Sequence, residues 1–367
     1  MVMKDKVMVQ AKPLNAFCVQ VFEKLDVPKA DAITTADVLV EADLRGIDSH
    51  GVARLRRYVK GLQDGVMLSH PKEVTVSETA TTALIDAGAG LGQPVSRRAM
   101  ELSIRKAEKY GVGLVTVRNS NHYGIAGYYA MMALERGMIG MSMTNADVLV
   151  VPTFGRNAVL GTNPIAVAVP AGKERPFVLD MATSTVPRGK LEVYDRQRKE
   201  MPLGWATDEK GIPTTDAHQV LQNFAARRGG GLLPLGGAGE VFSGHKGYGL
   251  GLLVDIFSAV LPGAAYADTV YPRTADGKPL PANLGHFFGA IKVEAFRSVS
   301  EFKSTMDELI RRLKNSPKAE GEDRIYIHGE KEYEEAERRS REGIPLDATV
   351  EADLRTIARE LNIAYGL

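Results

Sequence analysis

The sequence has a single cysteine, Cys18, among its 367 residues. One cysteine excludes an internal disulfide, and its scarcity fits a reducing compartment. Cys18 lies among apolar residues at helical spacing, so we expect a core side chain rather than a nucleophile. The amino-terminal residues show no long apolar stretch followed by a small-residue cleavage site. We therefore expect a cytoplasmic protein.

Long hydrophobic runs and an excess of one charge are also missing. The longest apolar run, Leu250 to Leu261, is interrupted by Asp255 and falls short of the ~18 residues of a membrane span. Lys and Arg number 46 against 45 Asp and Glu, which gives a net charge of +1. Nothing in this balance predicts a polyanionic partner. We expect contact with neither a membrane nor a nucleic acid.

Two familiar motifs are absent. No G-x-G-x-x-G occurs, and the nearest stretch, Gly88 to Gly92, has the wrong spacing for the dinucleotide fingerprint of a Rossmann fold. The seven histidines are scattered and none falls in an H-E-x-x-H pattern. That argues against a zinc hydrolase, and we expect no metal site.

Hydrophobic periodicity predicts helices at the start of the chain and a mixed α/β centre. The first part carries helices over Leu14–Leu25 and Ala30–Leu44, and a third that begins after Ser49 and ends near Gly65. The centre carries strands over Val74–Glu78, Thr82–Ala87, Gly113–Val117, Ile139–Met143, Ile165–Val169, Phe177–Met181 and Phe287–Val293, with helices over Gly92–Tyr110 and Tyr123–Arg136 and a buried helix over Lys246–Val260.

The segment Ser300 to Leu367 is again mostly helical, and its charge run Glu330 to Glu342 indicates a solvated helix face. Because helical ends flank a mixed centre, we predict two domains. Residues 1–72 and 300–367 form one helical domain, and residues 73–299 form the α/β domain that binds cofactor and substrate. The glycine-rich stretch Gly229 to Gly239 is predicted to be one long flexible loop.

The first candidate functional cluster is Asp48-Ser49-His50-Gly51, followed by Arg54 and Tyr58. If a helix begins after Ser49, then His50, Arg54 and Tyr58 share one face. A histidine at a helix N-terminus stays neutral, and an arginine one turn later can hold a carboxylate. A 2-hydroxy acid needs that pair, although the spacing by itself favours an ordinary N-capped surface helix.

The second cluster, Arg118 to Gly124, follows a buried strand and contains His122. Ligands of α/β proteins gather at the carboxyl ends of strands, which suits a catalytic histidine. A polar turn built from asparagine and histidine explains the same residues equally well.

Two further clusters suggest anion binding. Gly161 to Pro164 and Asp180 to Thr185 could present hydroxyls and N–H groups to a phosphate, or could be plain helix caps. Ser243 to Gly249 resembles an anion cradle without being a P-loop, and its glycines also suit close helix packing.

Taken together, the clusters resemble the type 2 malate/L-lactate dehydrogenase family, which also holds sulfolactate, ureidoglycolate and diketogulonate oxidoreductases. The resemblance covers nearly the whole chain. Its matching stretches, in order, are DLRGIDSHGVARLRRYVKGL, NSNHYGIAGYY, MIGMSMTNA, FGRNAVLGTNPIAVAVP, DMATSTVPRGK, PLGWA, SGHKGYGLGLLVDI and GEKEYEEAERR.

The resemblance implies a non-Rossmann α/β fold that binds a nicotinamide cofactor, and an intertwined homodimer. It implies that His50 and His122 line the reaction site, and that Arg54 and Tyr58 contact the substrate with Ser49 beside them. Cofactor contacts are expected at ten positions: Asn145, Thr162, Asn163, Asp180, Met181, Ala182, His245, Lys246, Gly329 and Glu330.

The sequence thus favours an NAD(P)-dependent dehydrogenase of a small 2-hydroxy acid, malate or L-lactate above others. We favour His122 as the acid/base because a strand-end loop fixes a side chain and excludes water. We favour NAD, because Arg196, Arg198 and Lys199 are better explained as a solvated helix end than as a 2′-phosphate site. Reduction of a cyclic imine or a diketo sugar acid, and cofactor or carboxylate binding without catalysis, are the alternatives.

Overall fold

The computed structural model describes residues 6–367. The predicted helices and strands of the centre are present, most within a few residues of their expected bounds. In chain order the elements are β1 (Lys6–Val9), α1 (Ala11–Lys24), α2 (Lys29–Leu44), α3 (Leu55–Gln63), β2 (Val74–Glu78), β3 (Thr82–Asp86), α4 (Gly92–Tyr110), β4 (Val112–Ser120), α5 (Ala126–Met131), β5 (Met138–Thr144), β6 (Ile165–Val169), β7 (Phe177–Met181), α6 (Arg188–Arg196), β8 (Ala206–Thr207), β9 (Pro213–Thr214), α7 (Ala217–Ala226), β10 (Gly231–Leu232), α8 (Gly244–Asp255), β11 (Leu284–Lys292), α9 (Val299–Lys314), α10 (Glu330–Glu342), β12 (Ile344–Asp347) and α11 (Ala348–Glu360).

A seven-stranded mixed sheet forms the centre, in the order β2-β3-β4-β11-β5-β6-β7. Only β3 and β4 pair in parallel, and every other neighbouring pair is antiparallel. The sheet therefore differs from the doubly wound parallel sheet of a Rossmann fold, in which helices cover both faces of parallel strands. The predicted mixed α/β core is confirmed.

Glycines let helices approach this sheet closely. A Cβ at Gly113 in β4 would lie 2.0 Å from the carbonyl oxygen of Ser103 in α4, and one at Gly140 in β5 would lie 2.0 Å from that of Ala130 in α5. No side chain fits at such distances, so only glycine allows these helix–strand contacts. The packing fixes α4 and α5 directly against the central strands β4 and β5.

The two ends of the chain pack together. β1 pairs antiparallel with β12, with Val9 opposite Ile344. One hydrophobic cluster joins Leu14 and Phe22 of α1 to Leu354 of α11. Cys18 is fully buried in this cluster, as its apolar surroundings predict. The domain boundaries at residues 72 and 300 stay predictions, and residues 1–5 of the first part lie outside the described range.

The prediction of one flexible loop over Gly229 to Gly239 is wrong. Gly231–Leu232 forms β10, which pairs with β8 in a three-stranded sheet. Leu232 is fully buried in a hydrophobic cluster with Leu191 and Val220. The apolar leucines among the glycines gain more from burial than from exposure, so this part of the stretch becomes ordered.

The prediction of a buried helix over Lys246 to Val260 is also wrong for the single chain. α8 continues into one wide turn, Ile256–Val260, and one side of both packs on the protein. The other side exposes a row of large apolar side chains at 38–60% of their area: Leu250, Leu252, Leu253, Ile256, Val260 and Leu261. An apolar run looks alike in sequence whichever of its faces has a partner.

The charge run Glu330 to Glu342 forms α10, and most of its side chains are partly or fully exposed, as predicted. Two side chains of α10, Glu330 and Arg339, are buried instead, and each forms an ion pair, with Lys314 and Asp48 respectively. Within residues 6–367, no helix is long and apolar enough to cross a membrane. In the same range no cluster of three or more His, Cys, Asp and Glu side chains is arranged to hold a metal ion.

His286, in the central strand β11, makes stability depend on pH. Its ring is fully buried, bonds Thr144 Oγ1 at 2.7 Å and Ser120 Oγ at 2.8 Å, and stacks on Tyr123. Burial lowers the pKa of His286 to about 3. Between this value and the ordinary histidine pKa the unfolded chain binds a proton that the folded chain does not, so stability falls as pH falls.

We expect lowering the pH from about 7.5 to about 5 to cost about 2 kcal/mol through this one residue. Urea unfolding at the two pH values measures the loss. His286→Gln should be less stable at the higher pH and should lose less on acidification. His70→Gln, at an exposed position beside Asp26, is the control and should keep the wild-type dependence. An unchanged dependence in the His286 variant would refute the prediction.

Candidate active site

His50 and His122, 72 positions apart in the chain, lie side by side in the folded structure. Their rings stack with centroids 5.6 Å apart and planes 22° apart. His50 ends a short 3₁₀ turn, Asp48–His50, and His122 follows the carboxyl end of β4. Both side chains are partly exposed, so a substrate can reach them. The structure thus brings together the two histidines that the sequence predicted.

A buried carboxylate shapes the segment that carries His50. Asp43, at the end of α2, accepts a hydrogen bond from the Val52 backbone N–H at 2.8 Å. A Cβ at Gly51 would lie 1.9 Å from that carboxylate, so only glycine fits there. The expected regular helix after Ser49 is therefore wrong. Two 3₁₀ turns precede α3, because the chain folds over Asp43 before the helix begins at Leu55.

The segment that carries His122 is held by the chain before α4. The Asn121 amide donates to the carbonyl oxygens of Ala89 and Gly90 at 3.0 and 2.9 Å. At Gly92, the first residue of α4, a Cβ would lie 2.2 Å from the Asn121 carbonyl oxygen. The asparagine therefore stabilises the turn, which was one interpretation of this cluster. His122 is not part of these turn contacts, so the other interpretation, a catalytic loop, stays open for it.

Tyr58 holds His122. Its hydroxyl lies 2.6 Å from His122 Nδ1, and its side chain is fully buried in α3. The bond occupies Nδ1 and turns the other nitrogen, Nε2, away from Tyr58. A buried Tyr58 has no free surface for a substrate in this structure, so the geometry suits an orienting contact better than the substrate contact that the resemblance implied.

Ser49 and Arg54 lie beside His50. Ser49 Oγ is 2.9 Å from His50 Nδ1, and Arg54 Nε donates to the Ser49 carbonyl oxygen at 2.7 Å. This bond anchors the guanidinium through one nitrogen and leaves its two amino groups for another acceptor. A carboxylate is the acceptor that matches two parallel N–H groups.

Both histidines are neutral near pH 7. Burial, then Arg54, then Arg57 lower the pKa of His50 to about 4. Burial and then the charge of Arg57 hold the pKa of His122 well below its ordinary value. A neutral imidazole can accept a proton, and an anion bound among these cations would favour the protonated ring that results.

A cavity near the two histidines suits a cofactor. Its volume is about 340 Å³, and it begins at Ile47 and Ile125, three residues from each histidine. Predicted cofactor positions Asp180, Met181 and Gly329 line it. Gly329 has a φ of +94°, and a Cβ there would lie 2.9 Å from the Val178 side chain, so the wall needs a glycine.

The donor set of this cavity fits a nicotinamide dinucleotide. Asp180 lines the cavity while accepting from the Gly127 N–H at 2.7 Å, and its carboxylate can bind ribose hydroxyls. Arg45 and Lys331 supply positive charge for phosphates, and the isoleucines supply apolar walls. Ala182 follows directly on this wall.

Other predicted cofactor positions have their side chains engaged inside the protein. Asn145 donates to the Ala265 carbonyl and accepts from the Gly285 N–H. Asn163 donates to the Gly251 carbonyl and accepts from the Ala146 N–H. At Thr162 it is the backbone carbonyl that is engaged, by the Thr183 hydroxyl, so Thr162 differs from the other three. Glu330 is buried on Lys314 and the Ile327 N–H. A cofactor contact at Asn145, Asn163 or Glu330 would use backbone atoms.

His245 and Lys246 stand exposed in the first turn of α8, and neither lines the cavity beside Asp180. Two residues near the histidines were missed by the sequence analysis, Arg57 and Tyr271. Arg57 lies three positions after Arg54, and that helical spacing was a usable signal. Tyr271 comes from a loop more than 200 positions away, and nothing local marks it.

Comparison with known proteins identifies the family of this chain. Residues 9–355 match the family model described as malate/L-lactate dehydrogenase. The chain belongs to this family. The malate dehydrogenase of Pyrococcus abyssi is 50% identical over 95% of this chain and 94% of its own length. The L-sulfolactate dehydrogenase of Methanocaldococcus jannaschii is 41% identical, over 96% and 97% respectively.

The solved malate dehydrogenase of Entamoeba histolytica superposes with a TM-score of 0.94 at 36% identity, covering 99% of this chain and 100% of that one. Membership of the family, the mixed α/β fold and the assignment as a dehydrogenase are therefore confirmed. A dehydrogenase of this family requires a nicotinamide cofactor, in agreement with the cavity beside Asp180.

Proposed function

We propose that this member of the malate/L-lactate dehydrogenase family oxidises a small 2-hydroxy acid to the 2-oxo acid, with malate and L-lactate the favoured substrates. The observation that carries the proposal is the neutral histidine pair beside an arginine whose guanidinium amino groups face no internal partner among residues 6–367. One histidine accepts the proton of the substrate hydroxyl, and the arginine binds the substrate carboxylate.

In the proposed reaction Arg54 binds the C1 carboxylate and sets the C2 hydroxyl against a histidine. A bound oxidised nicotinamide supplies the acceptor for the hydride that leaves C2. As the C2–H bond breaks, the hydroxyl proton passes to His122 Nε2 and the C–O bond becomes a carbonyl. The step uses the tautomer with the proton on Nδ1, in which Nδ1–H donates to the Tyr58 oxygen 2.6 Å away and does not accept from the Gly124 N–H at 3.4 Å. The bond to Tyr58 stabilises the imidazolium that forms.

His122 is the proposed acid/base because the buried Tyr58 hydroxyl fixes its Nδ1, which leaves Nε2 to exchange the proton. His50, whose Nδ1 faces the exposed Ser49 hydroxyl, is proposed to orient the substrate. NAD is the proposed cofactor, with NADP as the alternative. Arg196, Arg198 and Lys199 lie exposed at and just beyond the end of α6, and the cavity beside Asp180 carries the carboxylates of Asp180 and Glu332.

A panel of substrates and cofactors tests the proposal. Purified protein is mixed with NAD⁺ or NADP⁺ and malate, L-lactate or sulfolactate, and absorbance of the reduced nicotinamide is followed. The reverse panel offers 2-oxo acids, a cyclic imine acid and a diketo sugar acid with NADH or NADPH. Turnover confined to the imine or sugar acid would favour the reductase alternative. Cofactor binding without any turnover would favour a non-catalytic protein.

We further propose a homodimer in which a second copy covers the exposed face of α8. The side chains Leu250, Leu253 and Ile256 recur every three residues along one stripe. A contiguous apolar stripe of this kind, at the border of a polar surface, is typical of an interface. A two-fold axis lets the same stripe meet itself.

Leu253→Glu should therefore dissociate the dimer. A charge placed in a packed apolar contact costs about 2 kcal/mol or more, which raises the dissociation constant roughly 30-fold or more. Light scattering across a dilution series measures the change. The control is Leu309→Glu, at an equally exposed leucine of α9. A wild-type protein that is monomeric at micromolar concentration would contradict the proposal.

A further inference from the structure

Arg57, in the first turn of α3, is a second arginine near the histidines, after Arg54, which directly precedes the helix. It stands three positions after Arg54, so the two guanidinium groups extend from one side of the helix. Of the charged neighbours of His122, Arg57 lowers the pKa of His122 the most, ahead of His50 and Arg54. The adjacent Arg56 points elsewhere, to Asp353 at 2.7 Å and to Glu360. The chain from Arg54 to Arg57 thus carries two cations near the histidines and one structural cation.

Arg57 is held in place without being neutralised. Its guanidinium donates to the Tyr271 hydroxyl and lies 5.3 Å from the centre of that ring. Tyr271 has a φ of +52°, a left-handed conformation that an aromatic residue seldom adopts. Such strain persists where surrounding structure enforces it, and it is commonest at functional sites. Here it directs a phenol toward Arg57.

Arg57 also opens onto a second cavity, of about 540 Å³, whose walls include Arg188, Arg227 and Arg273. Two aspartates, Asp147 and Asp268, line the same cavity. Within residues 6–367 neither of them forms an ion pair with Arg57, and Arg54 is likewise without one. Asp147 acts on Arg57, and Glu192 on Arg54, only from beyond ion-pair distance, so neither arginine has a direct counter-ion in the described part of the chain.

The two arginines indicate how many acidic groups the substrate carries. A carboxylate on Arg54 neutralises one cation and leaves Arg57 half-buried beside two neutral imidazoles, at a cost in desolvation. A substrate with two acidic groups satisfies both arginines. Positions three apart on a helix are about 5–6 Å apart at Cβ, a span that a four-carbon chain covers.

We propose that Arg57 binds the second acidic group of the substrate, so that the enzyme selects dianionic 2-hydroxy acids, a four-carbon dicarboxylate or its sulfonate analogue, over monocarboxylates. This selectivity rests on the proposed oxidation of 2-hydroxy acids. Arg54 takes the acidic group next to the reacting carbon, and Arg57 takes the distant one. Arg57 sets specificity and does not exchange the proton.

The test compares kcat/KM for two dianions, malate and sulfolactate, with that for two monoanions, L-lactate and 2-hydroxybutyrate. Arg57→Met, which keeps the aliphatic stem, should lower kcat/KM for the dianions about 10–150-fold, the usual cost of a lost charged hydrogen bond. The monoanions should change by less than about threefold, within ordinary surface effects. Arg57→Lys should keep most of the preference. Arg56→Met is the matched control and should leave the ratio unchanged.

A wild-type ratio that favours monoanions, or an Arg57→Met ratio equal to the wild-type one, would overturn the proposal. Wild-type enzyme that oxidises no 2-hydroxy acid would instead overturn the proposed function. If Arg57→Met fails to fold, ionic strength decides with the wild type. Screening acts on each charge pair, so kcat/KM should fall about twice as steeply with salt for malate as for lactate. Equal slopes would refute a second cationic contact.

Discussion

His122→Ala should lower kcat for 2-hydroxy acid oxidation by ~10²–10⁴-fold, the usual contribution of general acid–base catalysis. The side chain that accepts the hydroxyl proton is lost, while Arg54 and the cavity beside Asp180 remain intact. Cofactor affinity should therefore stay within about threefold of wild type, as for other surface changes remote from the lost contact. Stopped-flow absorbance and fluorescence titration with reduced cofactor measure the two quantities.

The pH profile separates the two histidines. His122 must be neutral to accept a proton, and burial and the charge of Arg57 hold its pKa well below the ordinary value. We therefore expect kcat/KM to stay flat as the pH falls through the ordinary histidine pKa and to decline only at more acidic pH. This acidic limb should disappear in His122→Ala. It should survive in His50→Ala, which weakens substrate binding instead. A limb that vanishes in the His50 variant and survives in the other would reverse the assignment.

Tyr58→Phe is an intermediate case, because it removes the hydroxyl on His122 Nδ1 and keeps the ring. It should lower kcat by less than His122→Ala does and leave an acidic limb, displaced because the bond to Nδ1 is gone. If Tyr58 contacts the substrate instead, the variant should raise KM and leave kcat and the limb in place.

Arg54→Ala should cost roughly 2–5 kcal/mol of kcat/KM, as expected for removing one member of a charged hydrogen-bonded pair. The clamp acts on the carboxylate in the ground state and in the transition state alike, so most of the loss should fall on KM. The loss should be of similar size for malate and lactate, because both carry the C1 carboxylate. Wild-type kinetics in this variant would show that the site lies elsewhere.

The outcome for Arg54 is distinct from that for Arg57. A variant at Arg54 should weaken every 2-hydroxy acid, and a variant at Arg57 only those with a second acidic group. Guanidinium ions added to Arg54→Ala should restore part of the activity if the lost cation is the cause. Arg54→Lys keeps the charge but loses the bidentate geometry, and should fall between wild type and alanine.

Periodicity in the sequence determined much of the fold. Helix α4 and strand β7 begin and end where the apolar spacing predicts, because each has one face that must be buried. The missing dinucleotide fingerprint argued by itself against a Rossmann site, and the mixed sheet agrees. The resemblance of several motifs in register marked His50, Arg54 and His122 as candidates, because each cluster alone is explained as well or better by a helix cap or a polar turn.

Only the tertiary structure decided how these residues act. The third helix begins five residues later than its pattern predicted, because the Asp43 carboxylate at the end of α2 bonds the Val52 N–H and reshapes the chain. Tyr58 became a buried partner of His122, and Tyr271 reached Arg57 from across the chain. The exposed face of α8 was likewise not predictable, because the run Leu250 to Leu261 has apolar residues on more than one face of the helix.

The physical reason is the range of the forces involved. Helix caps, turns and apolar spacing act over a few residues, so the sequence by itself determines them. Contacts such as the His50–His122 stack join residues that only folding brings together, and their charges and burial set the pKa values that catalysis needs. The sequence therefore determined the elements and the candidate residues, and the tertiary structure decided their partners and their protonation.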